Sequence, residues 1–72
     1  VSKETEITFM QVRLLRIAIE ELHKPMQEVL ELFNHYNIFN LIDNCYEIFH
    51  VEGDYAIFEE ITSVLKCKGA IK

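Results

Sequence analysis

Glu20 and His23 stand three residues apart, and so do Glu47 and His50. At that spacing a carboxylate and an imidazole share one face of a helix, where they could ligate a metal ion. Two such Glu-x-x-His pairs, with a Glu from each of two further helices, make the di-metal carboxylate site of ferritin-like bundles. Glu31 and Glu59 would complete that set. In such a site every ligand must point inward. Both pairs here fall on polar faces opposite the apolar stripes, and the helices are short for that fold, so solvated surface is their expected role.

The stretch Asn40–Gly53, NLIDNCYEIFHVEG, places an Asp, two Glu, a Cys, a Tyr and a His within fourteen positions. A nucleophilic Cys needs a His within hydrogen-bond reach. Cys45 and His50, five residues apart on one helix, lie about 140° apart around its axis and face different ways. Cys45 falls instead in an apolar stripe with Leu41, Ile42 and Phe49, where a free thiol behaves as a small hydrophobe. His23, His35 and His50 occur singly near helix ends, positions that C-terminal carbonyls favour. The only glycines are Gly53 and Gly69, too few for a phosphate-cradling loop, and no Ser-His-Asp arrangement can be inferred from spacing. No catalytic residue, metal ligand or cofactor is assigned, and no enzymatic activity is expected.

The elements that carry these residues read as helices. The first runs from Lys3 or Thr5 to His23, capped by Ser2 or Thr5. Its apolar residues, from Ile7 to Leu22, span an arc of roughly 220°, wide enough to need neighbours on two sides or a partner subunit. Gln11 interrupts that arc. Pro25 fits the first position of a second helix carrying Met26, Val29, Leu30, Phe33 and Tyr36 on one side, and Asn37 fits the left-handed position that ends it. A third helix is expected from Phe39 to His50, with Leu41, Ile42, Cys45, Tyr46, Ile48 and Phe49 on its buried face and Asn40, Asp43, Asn44, Glu47 and His50 on its polar face. Glu52-Gly53-Asp54 reads as a turn, with Gly53 free to take positive φ and Asp54 placed to cap the last helix. Tyr55–Phe58 reads equally as helix or extended chain, while Ile57, Phe58, Ile61, Val64 and Leu65 fit a helix face closed by Gly69. The expected fold is all-α, a compact bundle of three to four short helices in a single domain spanning residues 1–72.

Composition narrows the function classes. Seventy-two residues approach the lower limit for a chain that folds alone, and half of them are apolar. No apolar run approaches the ~20 residues that span a bilayer, and no leader pattern stands at the start. Two cysteines, Cys45 and Cys67, form no disulfide framework, which suits reduced thiols in the cytoplasm. Twelve acids against seven bases leave a net charge of −5, which repels phosphate backbones. A small DNA-binding regulator is the alternative reading, since two helices joined by a short turn suit that role. Its recognition helix would have to show cations, whereas the outer face of the third helix shows Asn40, Asp43, Asn44 and Glu47. Nucleic acid is therefore an unlikely partner.

The residues Glu31-Leu32-Phe33, Tyr36-Asn37-Ile38, Cys45-Tyr46-Glu47, His50 and Gly53-Asp54 resemble a bacterial family of small proteins catalogued as a domain of unknown function, number 3791. Its members similarly read E-L-F-x-x-Y-G-[VI], then C/F-Y-E-x-x-H, then a Gly-Asp or similar turn. The resemblance covers about Val29 to Leu65. Asn37 stands where the family usually has Gly, which keeps the left-handed turn possible. No activity or catalytic residue comes with the family. The resemblance does imply a neighbour, because similar proteins are often encoded beside an ADP-ribosyltransferase-like protein, as in toxin–antitoxin pairs.

Together these observations predict a cytoplasmic, non-enzymatic interaction module, antitoxin-like or accessory to a neighbouring gene product. It would bind a protein partner or further copies of itself. The expected contact residues are Asp43, Glu47 and His50 on the polar face of the third helix, with the aromatic Tyr46 and Tyr55.

Overall fold

A computed structural model describes all 72 residues. Five helices succeed one another with no strand: α1 Lys3–Leu22, α2 Met26–His35, α3 Ile38–Asn44, α4 Tyr46–Phe49 and α5 Asp54–Cys67. The all-α expectation holds, but the helix count is five because the third helix is divided. Ser2 caps α1, its hydroxyl oxygen accepting from the Thr5 amide at 3.1 Å. Glu4 and Glu6 lie in the first turn, where the positive end of the helix dipole favours carboxylates.

Two non-glycine residues occupy the left-handed region at the breaks. His23 ends α1 with φ 54°, and Asn37 joins α2 to α3 with φ 56°. Asn37 does what its residue type suggests; the sequence carried no such signal for His23. Pro25 sits one position earlier than expected, as the cap of α2, with its carbonyl accepting from the Glu28 and Val29 amides at 3.0 and 3.2 Å. Its fixed φ of −67° suits an extended cap as well as a first helical residue.

The expected helix from Phe39 to His50 breaks at Cys45, whose φ −100° and ψ 8° turn the backbone between α3 and α4. Asn40, Asp43, Asn44 and Cys45 are weak helix formers and offer little resistance to tertiary contacts. Past the break Phe49 is in the core at 4% exposure, as the apolar stripe predicts, while Ile48 is left 63% exposed. Ile48 therefore leaves the buried face on which the helical pattern placed it.

The cap of α5 is Gly53 rather than the expected Asp54. Its φ of −77° and ψ of 153° are extended backbone, and it serves as the cap of α5 through its carbonyl, which accepts from the Ile57 amide at 3.1 Å. Asp54 is the first helical residue and makes no cap bond of its own. Tyr55–Phe58 is helical, resolved by Ile57 and Phe58 both turning into the core. Positive φ is needed at Gly69 instead, at 74°. There the Ala70 amide donates to the Leu65 carbonyl at 2.9 Å and the Gly69 amide to the Lys66 carbonyl at 3.0 Å, the paired bonds of a Schellman ending.

All five helices feed one core. Leu14 and Ala18 of α1, Val29 and Phe33 of α2, Ile38 and Ile42 of α3, and Ile57, Ile61 and Leu65 of α5 are wholly buried, with Phe49 of α4 beside them. No polar side chain is buried with them. α1 is the spine: α2, α3 and α5 all pack against it. Its wide apolar arc is thus divided among three neighbours of the same chain, and only Phe9 and Val12 remain well exposed. Gln11, which interrupts the arc, is half-buried and donates from Nε2 to the Phe39 carbonyl at 2.9 Å, tying α1 to α3. The molecule measures 34 × 22 × 19 Å, and no helix is long and apolar enough to cross a membrane.

Candidate functional site

A cleft of about 420 Å³ lies between the first half of α1 and the corner from α4 into α5. Glu6, Phe9, Met10 and Arg13 form the α1 wall. Their three- and four-residue spacing puts them along one side of the helix. The opposite wall is Tyr46 and His50, with Glu52 and Asp54 from the corner.

Polar contacts clamp the two walls together. The Tyr46 hydroxyl donates to Glu6 Oε2 at 2.7 Å, and Arg13 Nε donates to Asp54 Oδ2 at 2.9 Å. The bond to the Glu6 carboxylate, with some loss of solvent, raises the Tyr46 pKa above the usual phenol value. The Tyr46 and His50 rings stack with centroids 5.3 Å apart and planes inclined by 20°. Outside the cleft, Lys3 bonds Glu47 and holds its carboxyl below the usual range. His50 Nε2 lies 3.9 Å from the other Glu47 oxygen, an ion pair only when the imidazole is protonated. Glu52 behaves in the opposite way: a hydrogen bond with Glu60, then burial, then the repulsion of that second carboxylate raise its pKa.

The structure thus brings some of the expected contact residues together and leaves others apart. Tyr46 and His50 line the cleft; Glu47 stands just outside it, tied to Lys3. Tyr55, 59% exposed, follows Asp54 in the chain but is not part of the lining. Asp43 is exposed on α3, is not part of the lining and makes no side-chain bond. The α1 wall was missed. Its signal was the run Glu6, Phe9, Arg13, an acid, an aromatic and a base on one side of a helix whose apolar arc drew attention to the other. The Glu-x-x-His pairs stay at the surface, and no group of three His, Cys, Asp or Glu side chains converges as metal ligands would.

A family model described as "Protein of unknown function (DUF3791)" matches residues 9–68 of the 72. The chain belongs to this family. The DUF3791 match takes in every cleft residue except Glu6, and so reaches α1, beyond the segment whose motifs resemble the family in sequence. Comparison with curated proteins and with solved structures yields no match.

Proposed function

We propose that this chain is a non-enzymatic protein-interaction module acting in the cytoplasm, an antitoxin-like or accessory partner of a neighbouring gene product. The observation that supports this reading is where the exposed apolar side chains gather. Phe9 lines the cleft at 54% exposure, and Val51 and Tyr55, exposed at 75% and 59%, are chain neighbours of the lining residues His50, Glu52 and Asp54. Phe9, Tyr46 and His50 beside the carboxylates of Glu6, Glu52 and Asp54 give the mixed composition of a docking surface, where rings supply contact area and polar groups fix orientation. A DNA-binding role finds no comparable support, since the exposed side of α3 offers Asn40, Asp43 and Asn44 and no cation.

The test is co-expression with the product of the adjacent gene, then size-exclusion chromatography with light scattering. A stable complex is expected, weakened when Phe9 and Tyr55 are both changed to Ser. A pair of proteins that elute separately at micromolar concentration, with the wild-type chain folded, would remove the partner reading. Light scattering of the chain alone across a dilution series tests the second form of the proposal, in which the partner is another copy.

A further inference from the structure

We infer that the cleft between α1 and the α4–α5 corner receives an arginine side chain from a basic segment of a partner protein, stacked on ring surface and bonded to Glu6 and Glu52. The inference deepens the interaction-module reading and rests on it for the biological partner, but the chemistry of the cleft can be tested without that partner.

Three features of the cleft converge on a planar cation. The first is unbalanced charge. Glu6, Glu52 and Asp54 face a single guanidinium, Arg13, which is already paired with Asp54. Glu6 and Glu52 have no ion-pair partner, and Glu6 Oε1 has no bond, since the Tyr46 hydroxyl engages Oε2. The second is flat aromatic surface at the same place: the stacked Tyr46–His50 pair on one wall and half-exposed Phe9 on the other. A guanidinium stacks on ring faces while its edge donates to carboxylates, whereas an ammonium is a compact point charge with no such edge. The third is a precedent within the cleft itself, for Arg13 already lies along it and donates to Asp54. The nearby Glu60 carboxyl, which raises the Glu52 pKa, adds to the unbalanced negative charge. A net charge of −5 favours approach of a basic segment from any side.

The experiment is a titration of the ¹⁵N-labelled chain with N-acetyl-arginine amide, read by amide chemical shifts. N-acetyl-citrulline amide, the same shape without the charge, is the control. Arginine should shift the amides of Glu6, Phe9, Tyr46, His50 and Glu52 along a saturating curve, with a dissociation constant on the order of millimolar for so small a probe. Citrulline should bind at least about fivefold more weakly. Glu6→Gln and Glu52→Gln should each weaken arginine about threefold, while Glu31→Gln, on α2 outside the cleft, should not. Equal response to citrulline, or unsaturating shifts scattered over Glu20, Glu31 and Glu59, would overturn the site. An equal response to N-acetyl-lysine amide would overturn the assignment of a planar cation. The two proposals fail separately. If the adjacent gene product binds and is indifferent to Glu6→Gln and Glu52→Gln, the arginine site falls and the module stands. If arginine saturates the cleft but no partner binds, the module falls and the site stands.

Discussion

At the scale of single residues, burial and charge assign opposite consequences to neighbours in sequence. Phe49 is 4% exposed, so Phe49→Ala should cost about 3–5 kcal/mol, from lost burial and the cavity left behind. A core this small supplies about that much in total, so urea melts should find the variant largely unfolded, while Phe49→Leu stays folded. Asp43→Ala, at an exposed position without side-chain bonds, should change stability by less than about 0.5 kcal/mol. A normal melt for Phe49→Ala with loss of fold for Asp43→Ala would mean that α3 and α4 face the other way. Two glutamates should also titrate with opposite signs. The Lys3 contact lowers the Glu47 pKa, so its stabilisation is present above the ordinary 4.5 and lost as pH falls through the lower folded value. Contact with Glu60 raises the Glu52 pKa, so its penalty is full above the raised folded value and fades as pH falls to 4.5. Glu52→Gln should therefore be more stable than the parent at pH 7 and equal to it below about pH 4. Melting temperatures measured across about pH 3.5–8 decide this, and an advantage that grows in acid would refute it.

At the scale of elements, the helix breaks respond to backbone conformation more than to side-chain contacts. His23 occupies the left-handed region at φ 54° with a side chain that gains nothing there. His23→Gly should stabilise by about 1 kcal/mol. Asn37→Gly should gain less, because Asn tolerates that region better than other non-glycine residues. Gly69→Ala should lose about 1 kcal/mol, since φ 74° and both bonds of the α5 ending depend on that position. Gly53→Ala should be milder, its backbone being extended and its surroundings open. Thermal melts should rank the four variants, from highest to lowest, as His23→Gly, Asn37→Gly, Gly53→Ala and Gly69→Ala. A Gly53→Ala loss larger than that of Gly69→Ala would contradict it.

At the scale of the whole molecule, one core and one spine leave no part free to unfold alone. α1 touches α2, α3 and α5, and the buried residues of all five helices form one cluster. Unfolding should be two-state, with tyrosine fluorescence and far-ultraviolet circular dichroism tracing a single transition in urea. Tyr46 makes the fluorescence informative, because its hydroxyl bridges α4 to Glu6 of α1. A fluorescence change that precedes the loss of helix would show the cleft opening before the core melts. Such early opening would conflict with a preformed docking site.

Much of this molecule is fixed locally. The 3.6-residue recurrence of Leu14 and Ala18, of Val29 and Phe33, and of Ile57, Ile61 and Leu65 specifies which helix faces are buried, since each face must leave water. Ser2, Asn37 and Gly69 mark boundaries through short-range chemistry that needs no neighbour, and the motifs around Tyr36 and Tyr46 carry the family. The sequence alone did not decide where α3 ends, because Asn44 and Cys45 neither favour nor forbid a helix, and Cys45 packs half-buried against the common core. It did not show that Gly53 is extended, because glycine permits both signs of φ. Nor did it place Glu6 beside Tyr46, or Arg13 beside Asp54. Those pairs are separated by 40 and 41 positions in the chain, and no local periodicity encodes such a meeting. The cleft is built from those long-range pairs, so the core was legible in the sequence and the candidate site emerged only when the helices were packed.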